Sequence, residues 1–427
     1  MASGPYFQAM EPIRDRNGDH KMSGTTESAA SAEFYFNPWD EEFRANPYPH
    51  YKPLYRGAPR HLDLGFPLAL AARYADVKEL LLNPGLFSSV QLKDSAFANQ
   101  IDAFGAAPTV LQSDPPTHTR LRRLVSRDFT PRRVRELEPR IRQISAELLD
   151  QAARKGSFDL MADLANPLPV MVIAEMLGVA PEMYETFKRW SDKVVEADNT
   201  LPGMPIPEDI KNAFGELRAY FTEQIERRRK SPGADLVSAL VAAHDESEAL
   251  NADELLQFVI LLLLAGNETT TNLIGNGTLA LGHHPEQMAA LRANPARLPG
   301  AIEEMLRYDG PVQSTFRVAM RDCIVGGGEI KPGTGVFVIL AAANRDPAMF
   351  PEPDRFDITR TPNAHVALGE GIHFCIGAGL ARLEGTLAIA ALLGRFPHLR
   401  LADPDAPLKY KGSYFLRGLV RLDLATD

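Results

Sequence analysis

The sequence predicts a mainly α fold with a small β portion, and three observations carry that reading. An apolar segment keeps helical register from Asn251 to about Leu281, roughly 45 Å at 1.5 Å per residue. Strand-like runs cluster late in the chain, and no repeat or flexible linker divides it. At 427 residues length alone would favour two or three domains, since single cores stop growing near ~300 residues. Without a linker, one domain over 34–427 is the simpler reading. The first 33 residues are rich in Ser, Gly and charge and have no apolar stretch of the secretory kind; they read as a disordered tail, native or appended.

In chain order, Ile141 to Ala153 has an amphipathic helical pattern. Leu201 to Pro207, with three prolines and a glycine, reads as a loop. Glu208 to Arg229 reads as a long helix stopped at Ser231, Pro232 and Gly233. Asn251 caps the longest helix, with Glu254 three residues on to complete a capping box. Because its middle is apolar on most faces, this helix must cross the interior. Ala301 to Tyr308 reads as a further helix, on which Glu304 and Arg307 share a face. Ile330, a Pro332-Gly333 turn and Val336 to Leu340 read as a hairpin. An irregular Pro-rich stretch runs from Pro347 to Pro362, and a glycine-bearing loop leads to Cys375. Leu380, Leu383, Leu387 and Ala391 then repeat at helical spacing.

Composition narrows the function. The net charge of -9 argues against nucleic acid as the main partner. Two cysteines, Cys323 and Cys375, make no disulfide framework and fit a reducing cytoplasm. The longest strongly apolar run, Phe258 to Gly266, is short of the ~18 residues that span a bilayer.

Two motifs carry chemistry. Leu368-Gly369-Glu370-Gly371-Ile372-His373-Phe374-Cys375-Ile376-Gly377-Ala378-Gly379 sets a cysteine between glycines that permit a tight turn, just before a helix whose N-terminus offers free N–H groups to a thiolate. Phe374 and Ile376 can limit water. A lone buried cysteine is more often inert, but the spacing of four glycines, a histidine and a cysteine before a helix speaks against that here. No second cysteine lies close enough for zinc. In the long helix, Ala265-Gly266-Asn267-Glu268-Thr269-Thr270 places a carboxyl beside a hydroxyl. That pair can relay protons to dioxygen, while Ala265 and Gly266 leave space and Gly266 permits a kink. Alternatively, Thr269 bonds back to its own helix.

The cysteine segment resembles the signature of the cytochrome P-450 superfamily, Phe-Gly-x-Gly-x-His/Arg-x-Cys-x-Gly. It matches at Gly369, Gly371, His373, Cys375 and Gly377, and departs at Leu368, where the family has Phe. The long helix matches the family's Ala-Gly-x-Asp/Glu-Thr. Spanning roughly Asn46 to Leu424, the resemblance implies the family's triangular helical prism, with haem b (iron protoporphyrin IX) between the long central helix and the cysteine-loop helix. It implies Cys375 as axial iron ligand, Glu268 and Thr269 as the acid–alcohol pair, and haem contacts at Ala265, Gly266, Leu368, Gly369, Phe374, Gly377 and Ala381. His118 and Arg122, Arg317, and His373 match its propionate anchors. Glu304 and Arg307 match its buried Glu-x-x-Arg motif, with Arg355 as the third member. Family positions over the haem map to Leu261, Leu264, Val312, Gln313, Phe316 and Phe415, with Phe97 and Phe104 in a capping loop from Gln91 to Val110.

The implied reaction consumes an apolar small molecule, O2, two electrons and two protons, and yields a hydroxylated or epoxidised product and water. A steroid, terpenoid, fatty acid or macrolide would suit the apolar positions. Residues 118–142 hold nine arginines against three acids. That basic field can steer an acidic partner, and the resemblance makes it the docking face for a ferredoxin, itself served by a ferredoxin reductase and NAD(P)H. The chain is expected to work as a monomer. A peroxide-driven peroxygenase on the same fold and a non-enzymatic haem-binding sensor remain the alternatives, both disfavoured by the intact acid–alcohol pair.

Overall fold

The computed structural model describes residues 34–426 except 39, 64–66, 91–106, 199–204, 245–250 and 414. The central helix runs Ala252–His283. Its N-terminus is closed by the capping box: the Asn251 side chain accepts from the Glu254 N–H, and Glu254 accepts from the Asn251 N–H. Arg120, on the helix Thr117–Ser126, adds an ion pair to Glu254, so the cap is also a tertiary joint. By length and hydropathy this helix could cross a membrane, yet 76% of the qualifying window is buried inside the protein. It packs against the helices Pro167–Met176, Tyr184–Asp198, Leu298–Asp309 and Ala378–Arg395.

Helices Glu138–Ala152, Glu208–Lys230 and Ala378–Arg395 form where sequence periodicity places them, with ends shifted by a few residues. The core divides into two large apolar clusters. One joins the central helix to the cysteine helix (Ala378–Arg395) through residues such as Leu273, Ile302 and Leu387. The other joins its N-terminal half to the helices Tyr184–Asp198 and Glu208–Lys230 through Phe187, Leu217 and Val259.

The β portion corrects one expectation. Ile330 and Val336 do not belong to one hairpin. Gly328–Ile330 pairs with Cys323–Val325, whereas Gly335–Val338 lies in a five-stranded sheet, antiparallel to Thr315–Ala319 and parallel to Pro67–Ala71. The Pro332-Gly333 turn redirects the chain from one sheet to the other: Gly333 takes φ +78° and donates to the Ala319 carbonyl.

Candidate functional site

The central helix is sealed on every described face but one. Between Leu255 and Leu281 the described residues that keep solvent access are Leu261, Ala265, Gly266 and Thr269. Leu261, Ala265 and Thr269 fall at i, i+4 and i+8, hence on one stripe of the helix. An apolar core helix left bare along one stripe borders a hollow. Gly266 has a different role from the expected one. A Cβ there would sit 2.9 Å from Ile173 Cδ1, so the glycine lets the helix Pro167–Met176 approach closely.

The cysteine loop is shaped by its glycines. Gly369 and Gly371 take φ of +73° and +69°, a region that side-chain-bearing residues disfavour. The Cys375 N–H donates to the Leu368 carbonyl at 2.9 Å, and the cysteine helix starts three residues on. Burial pushes the Cys375 thiol up, while the Gly377 N–H and the cations of Arg122 and Arg382 pull it the other way. Phe374 stands exposed at 39%, a large apolar side chain with its face uncovered. The cysteine helix touches the central helix at Gly385 against Leu273.

Beside the loop lies a cluster of cationic groups with little to neutralise it. His118 is buried, and among the described residues neither of its ring nitrogens has a hydrogen-bond partner. Its ring lies 4.3 Å from that of His373, whose Nε2 is 2.9 Å from Ser89 Oγ. Arg317 is buried and, among the described residues, donates within its own strand, to Thr315 Oγ1 and the Phe316 carbonyl. Arg122 donates to the Phe374 carbonyl. Burial, then Arg317 and His118, push His373 down to about 3, and burial pushes Arg317 down to about 10. The nearby anion is Asp114, which raises both. Crowded basic groups pushed toward their neutral forms, beside an imidazole that finds no partner among the described residues, make a pocket that calls for a buried anion.

A haem fits this arrangement. Its propionates would neutralise the cluster, its flat face would cover the bare helix stripe and Phe374, and Cys375 is placed for its iron. Among the described residues no three His, Cys, Asp or Glu side chains converge to hold a bare ion, so a metal at Cys375 has to bring its other ligands with it.

The acid and alcohol of the central helix do not touch. Thr269 Oγ1 donates to the Ala265 carbonyl at 2.6 Å. Glu268 is buried and turned the other way, paired with Lys411 and accepting from Asn272 Nδ2 at 3.2 Å. Neither Lys411 nor Asn272 stood out in the sequence, because lysine and asparagine have no signature outside a motif.

Glu304 and Arg307 form a fully buried bidentate pair at 2.7 and 2.8 Å. The third member is not the Arg355 side chain, which turns outward to Glu352. Arg355 contributes its backbone carbonyl to Arg307 Nη2. Arg360 supplies the guanidinium, 3.3 Å from Glu304 Oε1, and Asn363 adds a donor at 3.2 Å.

Of the substrate positions, Val312 bridges to Leu416, and Gln313 is buried with Nε2 donating to the Gly310 carbonyl. Phe316 alternates with Arg317 along its strand, so the two point to opposite sheet faces. It packs with Phe337 and Phe415 on the aromatic N-terminal cluster, which makes both rings packing elements of that cluster. Leu368 and Ala381 are half-buried by the cysteine helix, Leu368 against the core. Phe97, Phe104 and the side chain of Leu264 lie outside the described residues.

Comparison with known proteins places these features in a family. The family model described as Cytochrome P450 matches residues 58–422. The chain is similar to Cytochrome P450 107B1 of Saccharopolyspora erythraea, 45% identical over 83% of this chain and 88% of the relative. It is also similar to the Vitamin D(3) 25-hydroxylase of Pseudonocardia autotrophica, 44% identical over 89% of this chain and 94% of the relative. Among solved structures, the bacillaene polyketide synthase cytochrome P450 PksS of Bacillus subtilis 168 superposes with a TM-score of 0.83 at 36% identity, covering 92% of this chain and all of that one.

Proposed function

This chain belongs to the cytochrome P450 family and is a haem b monooxygenase, and from that premise we propose how its own residues serve the reaction. Cys375 is the thiolate ligand, held by the Gly369–Gly371 turn and the Gly377 N–H. His118, Arg122, Arg317 and His373 hold the propionates. Glu268 and Thr269 would move protons for the reaction: the carboxylate would take them up, and the hydroxyl, once it leaves the Ala265 carbonyl, would pass them on. The haem, when bound, supplies the two-electron activation of dioxygen that puts one oxygen atom into an organic substrate. The observation that carries this assignment is the bare stripe of Leu261, Ala265 and Thr269 together with the anion-deficient cluster beside Cys375.

The substrate is a bulky apolar molecule of the secosteroid or polyketide kind. Leu261, Ala265 and Val312 would line its site with few polar contacts, and similarity to a vitamin D3 hydroxylase and a polyketide-pathway enzyme supports that range. The enzyme acts as a monomeric single domain over 34–427 in the cytoplasm.

Electrons come from a ferredoxin and its reductase. Five of the nine arginines in 118–142 take part in ion pairs. Arg120 and Arg140 are tied to Glu254 and Glu175, and Arg132, Arg133 and Arg142 pair with acids on their own helices. Arg123, Arg127 and Arg135 are exposed. Reversing Arg123 and Arg127 to glutamate is expected to slow reduction by a ferredoxin about tenfold at low salt, a difference that shrinks as ionic strength rises. Stopped-flow reduction at two salt concentrations checks this, and equal rates for variant and wild type at low salt would remove the docking assignment.

A further inference from the structure

The relay acid is tied to a lysine almost 150 residues further along the chain. Lys411 Nζ lies 2.8 and 3.0 Å from the two oxygens of Glu268. Glu268 is 5% exposed, while the Lys411 side chain keeps 24% of its access. The lysine therefore links a buried carboxylate to the outside.

The C-terminal segment is built to hold that link. Tyr410 bridges to Leu419, and the Lys411 N–H donates to the Gly418 carbonyl at 2.9 Å. Gly418 presses on the central helix so closely that a Cβ there would overlap Asn272 Oδ1. A side chain at 418 would displace the Asn272 amide, the group that donates to Glu268.

Along the central helix, Glu268, Asn272 and Asn276 stand at i, i+4 and i+8 and form a buried polar stripe. Asn272 Nδ2 donates to Glu268, and Asn276 Nδ2 donates to the carbonyls of Asp309 and Arg417. Among the described residues the Oδ1 atoms of both asparagines have no hydrogen-bond partner, nor does Oε1 of Gln313. Buried acceptors left this way are positions for ordered water. Lys411 and Gln313 also line a small cleft of about 30 Å³, room for about one water, with Arg44, Tyr51 and Leu416.

We propose that Lys411 is a positioning residue for proton uptake. It holds the Glu268 carboxylate toward the cleft under the C-terminal segment, so that protons enter there, over Lys411 and the water held by Asn272, and not through the substrate hollow. This rests on the reading of Glu268 as the relay acid and names the side from which that acid is supplied. The ammonium keeps the carboxylate turned away from Thr269 at rest. Delivery follows when the carboxyl, carrying a proton taken from cleft water, swings from Lys411 to the hydroxyl.

The test compares wild type with K411M, K411R and E268Q in the haem-loaded full chain, using dioxygen as the probe and a reduced ferredoxin as electron source. Dioxygen consumption is measured in H2O and D2O. K411M is expected to consume dioxygen about tenfold more slowly, with a clearly larger solvent isotope effect, and K411R to restore both. Thermal melting gives a readout independent of turnover: K411M and E268Q each lower the melting temperature by several degrees, and the double variant falls no further than the lower single one, as expected for partners in one contact. If E268Q is slow but K411M keeps the wild-type rate, or is slow with an unchanged isotope effect, Lys411 is a structural ion pair and the proposal fails alone. If E268Q itself matches wild type, the relay reading fails and takes this proposal with it.

Discussion

Replacing Arg307 with methionine is expected to cost about 3–5 kcal/mol of stability, the range for removing one partner of a buried ion pair. Arg307 and Glu304 are essentially without solvent access. Besides the bidentate pair, the guanidinium donates to the carbonyls of Asn344, Pro353 and Arg355. The substitution therefore strands three carbonyls and leaves Glu304 with Arg360, Asn363 and the Asp357 N–H. Most of these partners lie in the irregular stretch that leads into the cysteine loop, so haem retention should weaken together with stability. Replacing both partners by apolar residues should cost less than the single change, because no buried charge is then abandoned. Denaturant midpoints of the two variants measure this. A single variant within 1 kcal/mol of wild type would contradict the role given to the pair.

The second large effect has the opposite sign. Glu384, on the cysteine helix, is 1% exposed, its Oε2 has no partner among the described residues, and burial pushes its carboxyl up to about 8. The folded state thus binds a proton that the unfolded state releases near its ordinary value of 4.5. The favourable contribution is complete below 4.5 and is lost as pH rises toward 8, at about 1.4 kcal/mol per unit. By pH 7 the loss is roughly 3 kcal/mol. Glu384→Gln does not titrate, so its stability relative to wild type should climb by about that amount between pH 4.5 and 7. Unfolding of both proteins at the two pH values checks it; a difference between them that is the same at both would show that Glu384 is ionised in the fold.

Legibility in the sequence followed the range of the interactions. The central helix could be read with its cap because Asn251 and Glu254 are three residues apart and act on each other. The cysteine loop was legible because its glycines serve a local backbone need. The Glu304–Arg307 pair could be read for the same reason, but its third partner could not. Arg355 and Arg360 both sit in a Pro-rich stretch without periodicity, and the path of the turn decides which guanidinium points inward. The hairpin reading of Ile330 and Val336 failed because strand Gly335–Val338 finds its parallel neighbour at Pro67–Ala71, far away in sequence. Gly266 matched a motif, yet its place is set by Ile173 on another helix. Lys411 was invisible for the same cause: its meaning comes only from the contact with Glu268 across the fold.

The claim on which the rest depends is that Cys375 binds the haem iron as a thiolate. Reducing the purified, haem-loaded protein with dithionite and adding carbon monoxide tests it in one spectrum. The account predicts the strongly red-shifted Soret band of a thiolate-ligated carbonyl complex, lost in Cys375→Ala. A spectrum typical of imidazole-ligated iron in the wild-type protein, or a red-shifted band that survives the alanine substitution, would contradict it.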